Sequence, residues 1–171
     1  NIFGCDLKIY NEFKNSKDKY QLYKLNHYPF NRIIKSEILI KNNIHFGSTY
    51  IHEDSVYHWL SIYYSNNIDV FESPVVDYKK NKNGLTFSNK NRENCFYAVN
   101  YCKIILENEH KIIDEKLLTL FKESVIKIIN WNSNKKLSYD DKIIFENYKK
   151  NFNLENNTPL INIFNFNSFS L

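Results

Sequence analysis

The chain has 171 residues, 43% hydrophobic and 16% aromatic, with 23 Lys+Arg against 19 Asp+Glu and a formal net charge of +4. That length supports one core and is short for two, so a single domain over 1–171 is expected. With only Gly 3, the glycine-rich loops that wrap phosphates are excluded, because they need glycine for positive φ and close backbone approach.

Asn makes up about one residue in six, Ile, Lys, Tyr and Phe are abundant, and Ala98 is the sole alanine. These are residues of AT-rich codons, so the bias describes a genome more than a fold. The asparagines are interleaved with large apolar residues, which favours a folded globule over a polar low-complexity tract. Only Arg32 and Arg92 are arginines. A mildly basic total carried by scattered lysines argues against a nucleic-acid surface, where the bidentate guanidinium is preferred. No apolar run of 18 residues and no basic-then-apolar leader occurs, so neither a transmembrane helix nor a signal peptide is expected. With no methionine at position 1, residue 1 is not expected to be the encoded start. Three cysteines, Cys5, Cys95 and Cys102, suit a reduced cytoplasmic protein better than a bridged one.

In chain order, Gln21–Leu25, Ile33–Ile40 and Ile44–Ile51 carry β-branched and aromatic residues in short runs broken by Asn, Pro and Gly, which predicts strands. Asp54 can cap a helix with Val56, Trp59, Leu60 and Tyr63 on one face, ending near Asn66-Asn67. Val75–Tyr78 and Leu85–Phe87 flank Asn83-Gly84, a pair suited to a tight reversal, which predicts a hairpin. A second helix starts near Asn91 and aligns Cys95, Val99, Cys102 and Leu106, with Phe96 and Ile105 widening the stripe. A third, capped by Asp114, aligns Leu117, Leu118, Phe121, Val125, Ile128 and Ile129, with Glu123 and Lys127 paired on its flank. A fourth begins at Ser138-x-x-Asp141, a variant of the capping box, and buries Ile144, Phe145, Tyr148 and Phe152. The tail from Thr158 to Leu171, with Ile161, Ile163, Phe164, Phe166 and Phe169, is expected to dock on its own domain. The sum is an α+β fold: a small, mainly antiparallel sheet from the N-terminal half, with one short helix, packed against about three helices from the C-terminal half.

The densest cluster of reactive side chains is His45, His52, Glu53, Asp54 and His58. Histidines near carboxylates can serve general acid/base work, and a hydrolytic or nucleic-acid-processing enzyme would use this group around His52. The spacing fits no metal motif: His52 and His58 are six apart, on opposite faces of a helix, where a zinc pair needs i,i+4. No metal or other cofactor is expected. Cys95 and Cys102, seven apart on an apolar helix face, read as small hydrophobes. Lys79-Lys80-Asn81-Lys82 with Lys90 and Arg92, interleaved by Tyr78 and Phe87, would be a single-stranded nucleic-acid surface if it folded into one patch; a charge run at a hairpin tip is more often simply solvated.

Tyr 13, Phe 13 and Trp 2 are more aromatics than a domain of this size can hide, and tyrosine gives large rigid contact area with a polar end. Tyr57, Trp59, Tyr63 and Tyr64 cover more than one face of the first predicted helix and are the leading candidates for a partner surface. Glu107, Glu109, Asp114, Glu115, Asp140 and Asp141 are candidates for an acidic face beside it. In make-up over the whole chain, small, AT-rich and without a catalytic motif, the sequence resembles the immunity proteins of bacterial polymorphic-toxin and contact-dependent inhibition systems. The resemblance implies a cytoplasmic protein, not an enzyme, that neutralises a cognate toxin, such as a nuclease, by covering it through a protein–protein interface. An acidic patch would point to a nuclease as the toxin, an even surface to another class.

Overall fold

The computed structural model describes residues 4–71, 92–111 and 114–152. They contain α1 (Gly4–Ser16), α2 (Ser36–Lys41), α3 (Asp54–Tyr64), α4 (Asn94–Ile104), α5 (Glu115–Ser133) and α6 (Tyr139–Phe152). Short 3-10 segments lie at Lys19–Lys24 and Pro29–Asn31, and a π-helical turn at Ile105–Glu109 continues α4. No strand occurs among the described residues, so the expected α+β fold with an antiparallel sheet is corrected to a helical one.

Each of the three expected strands fails for a visible reason. Gln21–Leu25 lies in the 3-10 segment, started by Asp18, whose carboxylate accepts from the Tyr20 amide at 3.0 Å. Within Ile33–Ile40 the chain enters α2, and the isoleucines at its two ends are 91% and 80% exposed. Ile44–Ile51 has no regular structure; Ile44 and Ile51 plug the core individually. The expected hairpin around Asn83-Gly84, the lysines at 79–90 and the tail from Thr158 lie outside the described residues.

Helix α1 is an addition to the sequence-based expectation. Its apolar pattern is broken because Leu7 faces out while Asp6 is buried and accepts from the backbone and side-chain amides of Asn26 at 3.3 and 3.0 Å. Among the described side chains of this helix, Phe13 is the one apolar group in the core, with Ile9 and Tyr10 packed beside it.

The four expected helices are present. Helix α3 is the hub, touching the 19–24 segment, α2, α4, the 29–31 turn and the π-helical turn. Val56, His58, Trp59, Leu60, Ser61 and Ile62 are all buried, so α3 is enclosed on all but the edge of Tyr57 and Tyr64, much as a core helix is. Trp59 stacks on Tyr23 at 4.7 Å and meets Phe121 edge-on at 5.3 Å. In α4 and the π-helical turn after it, Cys95, Phe96, Val99, Cys102, Ile105 and Leu106 are buried as expected. Burial pushes both thiols of Cys95 and Cys102 well up, which leaves them protonated and unreactive at neutral pH.

Helix α5 begins as expected at Asp114, whose carboxylate accepts from the amides of Lys116 and Leu117 and also from the Tyr20 hydroxyl. Leu117, Phe121, Val125 and Ile129 form its inner stripe; Leu118 is 37% exposed and Ile128 half-buried, a narrower face than expected. Helix α6 opens with the expected Ser138–Asp141 reciprocal cap. Phe145 is buried against Phe96 at 5.0 Å, whereas Ile144, expected inside, is 42% exposed. The side chains of Tyr148 and Phe152 are not among those described.

The Trp59 indole Nε1 is buried with no hydrogen-bond partner among the described residues, so its value lies in packing and not in its donor. Trp59→Ala is expected to cost about 3–5 kcal/mol. Trp59→Phe, which removes the orphaned donor and keeps most of the ring, is expected to cost less than about 1.5 kcal/mol. Urea midpoints of the two variants check both.

Candidate functional site

Enclosing α3 forces a solution for the polar groups it buries. His58 is fully buried, and an imidazole without partners in such a place would cost about 1–3 kcal/mol. Arg32, on the segment before α2, supplies the partner: its Nη2 lies 2.8 Å from His58 Nδ1, and its Nη1 donates to Ser61 Oγ at 3.2 Å and to the His58 carbonyl at 3.4 Å. A guanidinium only donates, so Nδ1 must accept and the ring proton sits on Nε2. Nε2–H then donates to the Tyr23 carbonyl at 3.3 Å. His58 is therefore neutral by geometry, and burial, the neighbouring His27 and Arg32 hold its pKa well below the ordinary value.

His27 stacks on His58 with ring centroids 4.1 Å apart. Its Nδ1 is 3.0 Å from Ser55 Oγ on α3 and its Nε2 3.2 Å from Ser124 Oγ on α5, so one ring ties three parts of the chain together. Desolvation first, then the positive potential of His52, Arg32 and Lys127, bring its pKa down to about 3. Ser124 and His27 have the spacing of a nucleophile and base, but a ring that resists a proton this strongly is a poor general base at neutral pH.

His52 stands at the entry to α3 with a left-handed backbone, φ +58°, a conformation that costs a non-glycine residue about 1–2 kcal/mol. Asn132 Nδ2 donates to His52 Nε2 at 3.0 Å and to the Ile128 carbonyl at 2.8 Å, while Asn132 Oδ1 accepts from Arg92 Nη1 at 3.4 Å. This chain fixes the tautomer: Nε2 accepts, so Nδ1 carries the proton. Burial and the Arg92 charge bring the His52 pKa down to about 4. Trp131 meets His52 edge-on at 5.9 Å and takes the Arg92 guanidinium and the Lys135 ammonium on its ring at 5.2 and 3.9 Å. Two residues after His52, the Asp54 carboxyl is pushed up to about 7 by burial and by the charge of Glu53.

His27, His52, Asp54 and Ser124 line one cleft of about 600 Å³ between the 26–30 segment, the 51–54 loop and α5, with Glu123 and Lys127 on its α5 side. His58 lies beneath it and is not part of its lining. The histidines expected to act together therefore separate: His52 enters the cleft, His58 supports its floor, and His45 turns away, hydrogen-bonded to the Phe46 carbonyl and electrostatically coupled to His110. His27, on which the arrangement turns, gave no signal in the sequence, because its neighbours Ser55 and Ser124 are 28 and 97 positions away. Among the described residues no group of three or more His, Cys, Asp or Glu side chains could hold a metal ion.

The partner-surface candidates divide as well. Trp59, 2% exposed, belongs to the core and offers nothing to a partner. Tyr57 is half-buried and stacks on the exposed Phe46 at 4.7 Å. Tyr63 and Tyr64 meet edge to face at 5.0 Å at the end of α3, and the Tyr64 hydroxyl is 2.8 Å from His110 Nδ1. Glu107 and Glu109 lie in the adjoining π-helical turn, and Asp114, bound to Tyr20, with Glu115 at the start of α5. Tyr63, Tyr64, Glu107, Glu109, Asp114 and Glu115 thus gather where α3 ends and α5 begins. Lysines offset part of this charge: Lys103 pairs with Glu107 at 3.4 Å, Lys116 pairs with Asp18 at 3.4 Å and covers the Tyr20 ring at 3.8 Å, and Lys19 donates to the Tyr63 carbonyl at 2.9 Å. Asp140 and Asp141 stand apart from these residues in sequence, at the start of α6, and Asp141 is held by Ser138.

Compared with known protein families, curated proteins and solved structures, the chain matches none. No helix among the described residues is long and apolar enough to cross a membrane.

Asp54 gives the cleft a pH dependence of its own. Because the folded chain holds this proton up to about pH 7 while the unfolded chain releases it near 3.9, the contribution is present at low pH and is lost as pH rises from about 4 through 7. Asp54→Asn is therefore expected to raise the urea midpoint at pH 8 relative to the parent protein and to narrow that difference at pH 4.

Proposed function

We propose that the protein acts by binding another protein and that it is a cytoplasmic inhibitor of a cognate bacterial toxin, covering the toxin's working surface without performing chemistry. The observation that carries binding over catalysis is the state of the histidines. His27 and His58 have both ring nitrogens in internal hydrogen bonds and His52 has its acceptor nitrogen in one, and all three resist protonation, so none is poised as a base for a substrate.

The surface that suits the role is the tyrosine-rich end formed by Tyr20, Tyr63 and Tyr64, with acids and lysines around it. Tyrosines of this kind, held in place by neighbours yet partly open, are the usual energetic anchors of interfaces, and a ring of charges sets the encounter rate. Pairing with lysines neutralises Glu107 and Asp18, but the carboxylates Asp18, Glu107, Glu109, Asp114 and Glu115 still outnumber Lys19, Lys103 and Lys116. An acidic excess at the rim suits a basic toxin such as a nuclease. Reduced, buried Cys95 and Cys102 suit the cytoplasm.

The test is affinity capture of the tagged protein from its native cells beside a Tyr63→Ala/Tyr64→Ala variant, with mass spectrometry of the retained material. The expected result is one stoichiometric protein, toxic when produced alone and tolerated when produced with this chain, whose retention falls at least about 30-fold in the variant. Retention of nucleic acid alone, or of nothing, would overturn the reading.

A further inference from the structure

The stacked histidine pair is not used by the partner surface. It holds residues 26–32, one wall of the cleft, against α3 and α5. We infer that this pair is an acid-sensitive latch: protonation of either ring releases the 26–32 wall from α3 and α5 and opens the cleft while the helical core stays folded.

The hydrogen bonds leave His58 no room for a second proton. Its Nε2 already carries one toward the Tyr23 carbonyl, and a proton on Nδ1 would set an N–H against the Arg32 guanidinium 2.8 Å away. His27 has more freedom, because Ser55 and Ser124 hydroxyls can each turn to accept. A charged His27 would nevertheless lie flat on His58 at 4.1 Å, beside Arg32.

The surrounding charges offer no relief. Those facing His27 are Arg32 on its own segment, His52 at the entry to α3 and Lys127 on α5; those facing His58 are His27 and Arg32. Each is a cation or becomes one in acid. The carboxyls facing Arg32 are Asp54 and Asp6. Asp54 takes up its proton near pH 7, before the histidines charge, and Asp6 is occupied by Asn26. Acidification therefore removes negative charge first and adds positive charge afterwards.

Release would be local because of how the wall is attached. Residues 26–32 have only the 3-10 turn Pro29–Asn31 as regular structure. Their hydrogen bonds to α3 and α5 run from His27 to Ser55 and Ser124, and from Arg32 to His58 and Ser61. Their bonds to α1, Asn26 to Asp6 and Tyr10 to the Asn31 carbonyl, involve no histidine and would hold as the wall swings. The packing of Tyr23, Trp59 and Phe121 contains no group that titrates between pH 7 and 5.

The size of the effect comes from linkage. A ring that titrates near 6.5 when released and at about 3 when latched favours opening by about 25-fold between pH 7 and pH 5. The experiment is hydrogen–deuterium exchange at those two pH values, corrected for intrinsic exchange, comparing peptides over 24–34 with peptides over 121–129 of α5. Protection over 24–34 is expected to fall at least about tenfold at pH 5 with α5 unchanged. In His27→Gln, whose amide can still bond the two hydroxyls, that fall should shrink several-fold, leaving the part that His58 supplies. A His27→Gln chain that does not fold leaves the wild-type ring titrations by NMR as the second measurement, expected to track the loss of protection over 24–34. Equal protection at both pH values, loss shared with α5, an undiminished fall in His27→Gln, or ring titrations that do not track the loss would overturn the latch. The result is independent of whether any partner is found.

Discussion

Helix α3 is closed in on nearly every side, and the polar groups it carries inward need partners; the Trp59 indole Nε1 is the one that has none among the described residues. Ser55, His58 and Ser61 do find theirs, in residues 23–32, whose regular structure is confined to short 3-10 turns. Arg32 reaches in to satisfy His58 and Ser61, His27 satisfies Ser55, and the Tyr23 carbonyl takes the remaining imidazole proton. The irregular path of the chain between α1 and α2 is thereby fixed by the needs of α3. The cleft exists because that path leaves space between itself and α5.

The helices of the second half were legible because their stripes were intact. Cys95, Val99, Cys102 and Leu106, and Leu117, Phe121, Val125 and Ile129, repeat at helical spacing and are buried where that spacing puts them, with Asp114 and Ser138 marking the starts. The first half misled for a compositional reason. A genome that supplies Ile, Tyr and Phe freely places them at the surface too: Ile33 and Ile40 look like strand residues and lie in water. Apolarity then stops reporting burial, and runs such as Ile33–Ile40 lose their meaning as strands. In α1 the reverse occurs, with a buried Asp6 and an exposed Leu7 hiding a helix.

The candidate site was legible in part. Proximity in sequence drew attention to His45, His52 and His58, and the fold sends the three in different directions. A set of single residues from distant segments assembles instead, His27, Ser55, Ser124, Asn132 and Arg92, chosen by hydrogen-bonding capacity and joined by no motif. Tautomers decide its chemistry. A histidine forced to accept from Arg32 and another forced to accept from Asn132 are both committed to the neutral form, and no pattern of spacing in the chain announces that. Of the four aromatics singled out on α3, Trp59 is inside the core, whereas Tyr57, Tyr63 and Tyr64 remain partly exposed.

The π-helical turn at Ile105–Glu109 sets the rotational phase of the residues beyond it. The His110 amide donates to the Ile105 carbonyl at 3.1 Å, an i→i+5 bond that accommodates one residue more than an α-turn would. Because each residue advances a helix by about 100°, removing one residue here would let α4 run on as ordinary α-helix and swing His110 about a quarter-turn away from the Tyr64 hydroxyl. A single codon lost or gained in this turn would thus re-aim Glu109 and His110 relative to Tyr63 and Tyr64 while leaving the buried face of α4 untouched. Relatives differing by one residue at this point would share the core and present a different surface.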